Sequence, residues 1–197
     1  FLTVIVLSVE RWIAISSAKG SGNISKFVAN IKACLVKNDI AAAQELCKKQ
    51  KGSVAAVVAA ALNRYKEMDE NTVLSKEQKI ANIQKSLEEA TALEMPMMQE
   101  NLPIIGTIVT LGTLTGLLGT VMGMIKSFSA MASGEGGADS AALSVGISEA
   151  LVNTASGIAT GALAVIAYNF YTNKIDRLTF CIDEVGFTVV QTFNATH

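Results

Sequence analysis

Two stretches of the chain carry no charged residue: Asn101 to Ile125, over 25 positions, and Ala150 to Asn173, over 24. A helix needs about 20 apolar residues to cross a ~30 Å hydrocarbon core, so each stretch is long enough to span a bilayer. Burying two such helices in a soluble fold would take a second layer of protein, which 197 residues do not supply. A third apolar run, Phe1–Val9, is too short to cross. No small-residue cleavage site of a signal peptide follows it, and it reads as the end of a membrane helix that begins upstream of Phe1. The pattern predicts an all-α, polytopic membrane protein with three transmembrane helices, the first incomplete, and a helical cytoplasmic domain.

Between the first and second apolar runs the period is helical. Phe27, Ile31, Cys34 and Leu35 recur on one face, and Asn38-Asp39 makes a turn with Asp39 as N-cap. Helices over Ile40–Gln50 and Val54–Lys66 follow, the second after a Gly52-Ser53 break. Ser75 with Gln78 forms a capping-box pattern before a helix from Lys76 that carries Ile80, Ile83 and Leu87 and runs up to Pro96 and Pro103. The predicted organisation is the end of the first span over 1–16, a cytoplasmic helical domain over 17–100 and a second span over 101–127. A periplasmic connection over 128–147, a third span over 148–173 and a cytoplasmic C-terminal helix over 174–197 complete it. The sequence Ser133-Gly-Glu-Gly-Gly-Ala-Asp139 reads as the flexible turn of that connection.

Basic residues set the orientation. The segment Glu10–Leu102 holds 13 of the 16 lysines and arginines, Ser127–Ser148 holds none, and Lys174 and Arg177 follow the third span. By the positive-inside rule the large segment and the tail are cytoplasmic, most tellingly from Arg11, Lys19, Lys26, Lys174 and Arg177 near the membrane. Lys126 at the outer end of the second span is an exception that snorkelling to the interface accommodates. Composition agrees with a membrane protein: half the residues are apolar, only 17 % are charged, and mean hydropathy is +0.40. A net charge of −1 and the lack of a basic–aromatic run argue against nucleic acid as a partner.

Catalytic chemistry finds little to stand on. His197 is the single histidine, and Cys34, Cys47 and Cys181 show neither CxxC nor Cys/His spacing, so they read as reduced structural thiols with no metal site. No nucleophile–base pair is present, and no Gly-Lys-Ser/Thr closes a phosphate loop. The chain reads as a non-enzyme that needs no cofactor.

The spans carry three other features. Gly112, Gly116, Gly119 and Gly123 share one face of the second span, and Gly157 and Gly161 repeat in GxxxG spacing in the third, with Thr154 and Ala164 on the same side. Small residues let helices approach closely, which points to a multi-helix or oligomeric assembly. Hydroxyls are frequent: Thr107, Thr110, Thr113, Thr115 and Thr120 in the second span, Thr154, Ser156 and Thr160 in the third. A membrane threonine ordinarily returns a hydrogen bond to its own helix. Thr113 and Thr120, seven apart, share a face where a hydroxyl could order water or bond a partner's carboxyl, though not carry a proton as a free acid does. Glu149 opens the third span and heads a polar stripe through Asn153, Ser156 and Thr160. It has two readings, a functional acid at membrane depth or an interfacial carboxylate favoured by the helix dipole.

As text, the two spans resemble the ExbB/TolQ/MotA proton-channel family. The resemblance rests on Leu117-Leu-Gly-Thr-Val-Met-Gly-Met124 after an Asn101-Leu-Pro-Ile-Ile approach, and on Gly146-Ile-Ser-Glu-Ala-Leu-Val-Asn-Thr154 followed by Gly157 and Ala167-Tyr-Asn169. Glu10-Arg11 and Lys37-Asn-Asp-Ile-Ala-Ala-Ala-Gln-Glu-Leu-Cys47 are weaker features. The three-span layout places the chain on the ExbB/TolQ branch, since MotA has four spans and a longer cytoplasmic part. The resemblance implies a homopentamer in the bacterial inner membrane around a pore that holds two single-span ExbD/TolR-like subunits. Their membrane aspartate takes and releases the proton, so that proton motive force drives a motor acting on the cell envelope through a TonB- or TolA-like protein. It also implies pore-facing roles for Thr120 and Thr154, and makes Glu149 the acid near the outer end of the last span. Ser148 and Asn153 depart from the small apolar residues usual there, and Thr115 adds polarity; these bear on hydration and ion choice. The alternative is a membrane scaffold whose glycine faces assemble helices without ion transport. A solute carrier is disfavoured, because neither span is broken at mid-membrane.

Overall fold

The computed structural model describes residues 1–132 and 140–196, so the Ser133–Asp139 turn lies outside the described residues. Seven helices occupy them: α1 (Leu2–Lys19), α2 (Ile24–Val36), α3 (Ile40–Gln50), α4 (Gly52–Glu70), α5 (Lys76–Gln99), α6 (Leu102–Ala132) and α7 (Ser140–Thr196). Among the described residues there is no strand. The chain divides into two compact units. One is 1–10 with 101–171, and the other is 11–100 with 172–196.

The second unit is a helical bundle whose boundaries follow local chemistry. Asn23 accepts the Ser25 N–H at 2.9 Å and starts α2. Asp39 accepts the Ala42 N–H at 3.0 Å and starts α3, as its position predicts. Ser75 and Gln78 make the reciprocal capping box that opens α5. Two predicted boundaries move. The Gly52-Ser53 break belongs to α4 itself, which starts at Gly52 and runs four residues beyond Lys66 to Glu70; the chain turns one residue earlier, at Lys51 with φ 56°. Pro96 lies inside α5, where its missing N–H removes one bond near the end of the helix. The true break is at Glu100 (ψ 142°) and Asn101 (φ 60°), and Pro103 sits in the first turn of α6, where proline is well tolerated.

A tight crossing ties the end of α1 to the α3–α4 corner. Ser21 N–H donates to the Gln50 carbonyl at 2.6 Å, and Gln50 Nε2 donates to the Lys19 carbonyl at 3.0 Å. Gly52 (φ 81°) lies so close to α1 that a Cβ would come within 2.6 Å of the Ala18 carbonyl oxygen. Nearby, Arg11 is 1 % exposed and its guanidinium donates to the Met98 carbonyl at 3.3 Å. A cation placed there satisfies a carbonyl in the last turn of α5 and complements the negative end of its dipole.

The core of this unit is filled by Phe27, Ile31 and Leu35 of α2, Val54, Val58, Leu62 and Tyr65 of α4, Ile83 of α5, and the end of α7. That last contribution has a pattern of its own: Ile175, Leu178, Ile182, Val185, Val189 and Phe193 are all buried. Spacings of three and four put them on one face of the helix. The Phe193 ring meets Tyr65 edge-on at 4.9 Å, Lys32 of α2 pairs with Glu184 at 2.5 Å, and Gly186 makes room for Leu87. At about 100° per residue, this face lies in the same ~120° sector of α7 as Gly146, Ala150, Gly157, Gly161 and Ala164. One helix therefore presents small residues in its apolar part and large ones in its tail, on a single side.

Cys47 of α3 is 4 % exposed, and burial pushes its thiol up to about 12. Below that pH it stays protonated and unreactive. Iodoacetamide at about pH 8.5, the ordinary pKa of a free thiol, should therefore alkylate the partly exposed Cys34 and leave Cys47 unmodified by mass spectrometry. Equal labelling of the two would show that Cys47 is not buried in the bundle.

Candidate functional site: hydroxyls beside a glycine seam

In the first unit α6 and the apolar part of α7 approach at backbone distance. A Cβ built on Gly157 would lie 2.6 Å from Gly116 Cα, and one on Gly116 2.8 Å from Gly157 Cα. Above and below this crossing the contacts continue with small groups: Gly123 against Ala150, Gly112 against Thr160, and Gly161 against Val109 and Thr113. Ser127, 2 % exposed, returns its hydroxyl to the Gly123 carbonyl at 2.9 Å and packs on Gly146. All six glycines singled out in the sequence lie on this seam. The first half of α1 joins this unit, where Tyr171 donates to the Ser8 carbonyl at 2.6 Å and Asn101 Nδ2 to Glu10 Oε2 at 3.3 Å.

The close approach divides the polar side chains between its two flanks. On one flank Thr120 and Thr154 meet hydroxyl to hydroxyl across the seam. Thr120 also lies 3.2 Å from the Gly116 carbonyl of its own helix and 3.3 Å from the Ala150 carbonyl of the other. A hydroxyl has one proton and two lone pairs, so Thr120 can donate to only one of these acceptors at a time and accept while it does so. Thr113 is on the same side two turns away, bonded to the Val109 carbonyl at 3.2 Å and facing Gly161. Beyond Thr120 the flank is apolar and open, with Val121, Ile125 and Phe128 each about half exposed.

The other flank carries the stripe that begins at Glu149. The Asn153 side chain packs on Gly119 and Thr160 on Gly112. With Thr3, Thr115 and Ser156 they line a groove of about 640 Å³. Thr115 and Thr160 return their hydroxyls to Leu111 and Ser156 at 2.7 and 2.8 Å, the ordinary behaviour of a membrane threonine. Glu149 itself is exposed and lies 3.6 Å from Lys126, so the two charges nearest the outer ends of the spans face one another. The structure therefore brings Thr120 and Thr154 together and keeps Glu149 on the other side of the seam. Ser127 and the Lys126–Glu149 pair were not foreseen in the sequence; the one signal for them was that both lie one helical turn from a seam residue. Among the described residues no group of three His, Cys, Asp or Glu side chains is placed to hold a metal ion.

A helical chain with two stretches long and apolar enough to cross a membrane, joined by a glycine seam with hydroxyls at its edge, is that of a helical membrane protein. Residues 49–184 match the MotA/TolQ/ExbB proton channel family, and the chain belongs to that family. Among its relatives is an ExbB-like biopolymer transport protein of Synechocystis, 37 % identical over 50 % of this chain and 48 % of the relative. The Tol-Pal system protein TolQ of Pseudomonas aeruginosa is 32 % identical over 49 % of this chain and 41 % of its own length. The biopolymer transport protein ExbB of Helicobacter pylori is 37 % identical over 48 % and 64 %. The chain thus spans about half the length of the curated relatives it matches.

The seam gives a direct test of packing. Gly157→Ala places a methyl on Gly116 Cα and the Gly112 carbonyl, and should destabilise the protein by about 1–3 kcal/mol in detergent unfolding. Ala155→Val, two residues away on an exposed face, should change it by less than about 0.5 kcal/mol. Similar effects at the two sites would mean that the glycine contact is not where α6 and α7 hold together.

Proposed function

We propose that this chain is the channel-forming subunit of a proton-motive-force-driven motor of the bacterial inner membrane. In this reading the segment 17–100 and the tail 174–197 are cytoplasmic, the connection 128–147 is periplasmic, and residues 1–16 end a first span. Five copies surround a pore occupied by a dimer of an ExbD/TolR-like single-span subunit, which passes work to a TonB- or TolA-like envelope protein. The observation that carries the reading is the Thr120–Thr154 hydroxyl pair, on neighbouring helices at the open edge of a glycine seam.

The chemistry follows from what the spans contain. Neither charge-free stretch has an acid or base at its centre, so these two spans supply no group that holds a proton at mid-membrane; a partner's carboxyl would supply it. Thr120 and Thr154 can both donate to and accept from that carboxyl in its two protonation states. Thr113 extends the same flank, and the apolar surface around Val121 and Phe128 suits a partner helix beside them. Glu149 lies near the outer ends of the spans on the opposite flank, paired with Lys126, so in this reading it fixes the outer end of the seam beside the ion pathway rather than lining the pore next to Thr154. Transmembrane potential supplies about 2.3 kcal/mol per charge per 100 mV to drive the cycle.

Reconstitution with the single-span partner tests this. Native mass spectrometry of the gently extracted complex should find five copies with two of the partner. Thr154→Ala and Thr120→Val should leave the assembly intact and lower partner-dependent proton flux by about tenfold, the equivalent of one lost hydrogen bond. Glu149→Ala should lower it as well. Normal flux in all three variants would overturn the residue roles, and a reproducible assembly of different subunit number, with no such partner and no ion flux, would favour a scaffold.

A further inference from the structure

The second unit holds a groove of about 1130 Å³ between the end of α1, the start of α2 and α7 from Asn173 to Glu184. Its floor is apolar, from Ile15, Ile24, Val28 and Leu178, and the rings of Trp12 and Phe180 stand at its edge, 52 % and 67 % exposed. Four cations line it, Lys19, Lys32, Lys174 and Arg177, against two acids, Asp176 and Glu184. Glu184 is matched by Lys32 at 2.5 Å, and the Lys174 ammonium sits over the Trp12 ring at 3.8 Å. What remains is a positive rim over an apolar floor. Asn173, the last residue of the charge-free stretch of α7, is part of the lining, so the groove opens where that helix changes from apolar to charged sequence.

We propose that this groove is a binding site for one anionic phospholipid of the cytoplasmic leaflet, its phosphate held by Lys19 and Arg177 and an acyl chain along Ile24, Val28 and Phe180. The inference rests on the topology proposed above, which sets residues 173–177 at the cytoplasmic interface. A free phosphate would use the cations and leave the apolar floor exposed to water. A zwitterionic lipid would gain less from an excess of two positive charges. Tryptophan and basic residues at one level are the usual furniture of a membrane–water interface, and basic pockets on the cytoplasmic side recognise anionic headgroups.

The test uses the full chain in its assembled complex, delipidated in mild detergent and titrated with dioleoyl phosphatidylglycerol or dioleoyl phosphatidylcholine. Native mass spectrometry counts the lipids retained. One phosphatidylglycerol per chain is expected, bound in preference to phosphatidylcholine and not displaced by glycerol phosphate. Removing two cations with Lys19→Gln and Arg177→Gln should weaken it about thirtyfold. Ala29→Trp keeps every cation but fills the groove, and should abolish retention in a complex of unchanged subunit number. Equal retention of the two lipids, or unaltered phosphatidylglycerol binding in both variants, would overturn the site. Loss of subunits on Ala29→Trp with lipid counts unchanged would also overturn it, assigning the groove to a neighbouring copy. These failures are separable from failure of the motor reading, which would appear as lost partner association or flux in the wild-type complex.

Discussion

Contact between Gly116 and Gly157 is the constraint on which the membrane part of this protein depends. Lipid chains are as apolar as leucine, so two apolar helices gain little by meeting unless their backbones come close enough for dense packing. Here no side chain intervenes at the crossing, and a methyl on either glycine would overlap the opposing backbone. The same closeness decides the fate of the neighbouring polar groups. Thr120 and Thr154 reach one another only because the helices between them are thin, and Asn153 and Thr160 lie against glycines only because a larger residue would push them away.

A seam with two unlike flanks has consequences for charge. The proposed pore flank offers hydroxyls and open apolar surface, while the opposite flank carries amide, hydroxyls and the Lys126–Glu149 pair. A hydroxyl follows a proton without trapping it, since it neither ionises near neutral pH nor loses a bond when its partner does. The two charge-free stretches thus line that flank without adding a competing proton site. In the other unit the demands are those of a soluble core. Large side chains fill the bundle, and Arg11, the one buried charge among its described residues, is turned toward the carbonyl end of a helix.

Much of this organisation was legible in the residues, and the limits have physical causes. Asp39, Ser75 and Gln78 announced their helix starts because a cap is a local interaction between a side chain and the next few N–H groups. The glycine faces were readable because a helix fixes the azimuth of each residue. Sequence does not say on which side of that face the partner helix sets each neighbour, so Glu149 and Thr154, both near the seam, could not be assigned to opposite flanks. Pro96 misled because proline costs little so near a helix end, and the stop came from the left-handed turn at Asn101. The apolar face of the tail went unread because charged residues begin at Lys174 and the stripe had to be found among them.

That tail is not a separate helix: α7 runs without interruption from Ser140 to Thr196. Its small-residue face and its large-residue face lie in one sector, with no loop between them to absorb a change of register. A single residue inserted between Ala164 and Ile175 would turn one face about 100° from the other, whereas seven would nearly restore the alignment. Insertions in this stretch therefore act in steps of helical repeats: those of a whole repeat keep the two stripes of α7 in register on the helix, and a single residue does not.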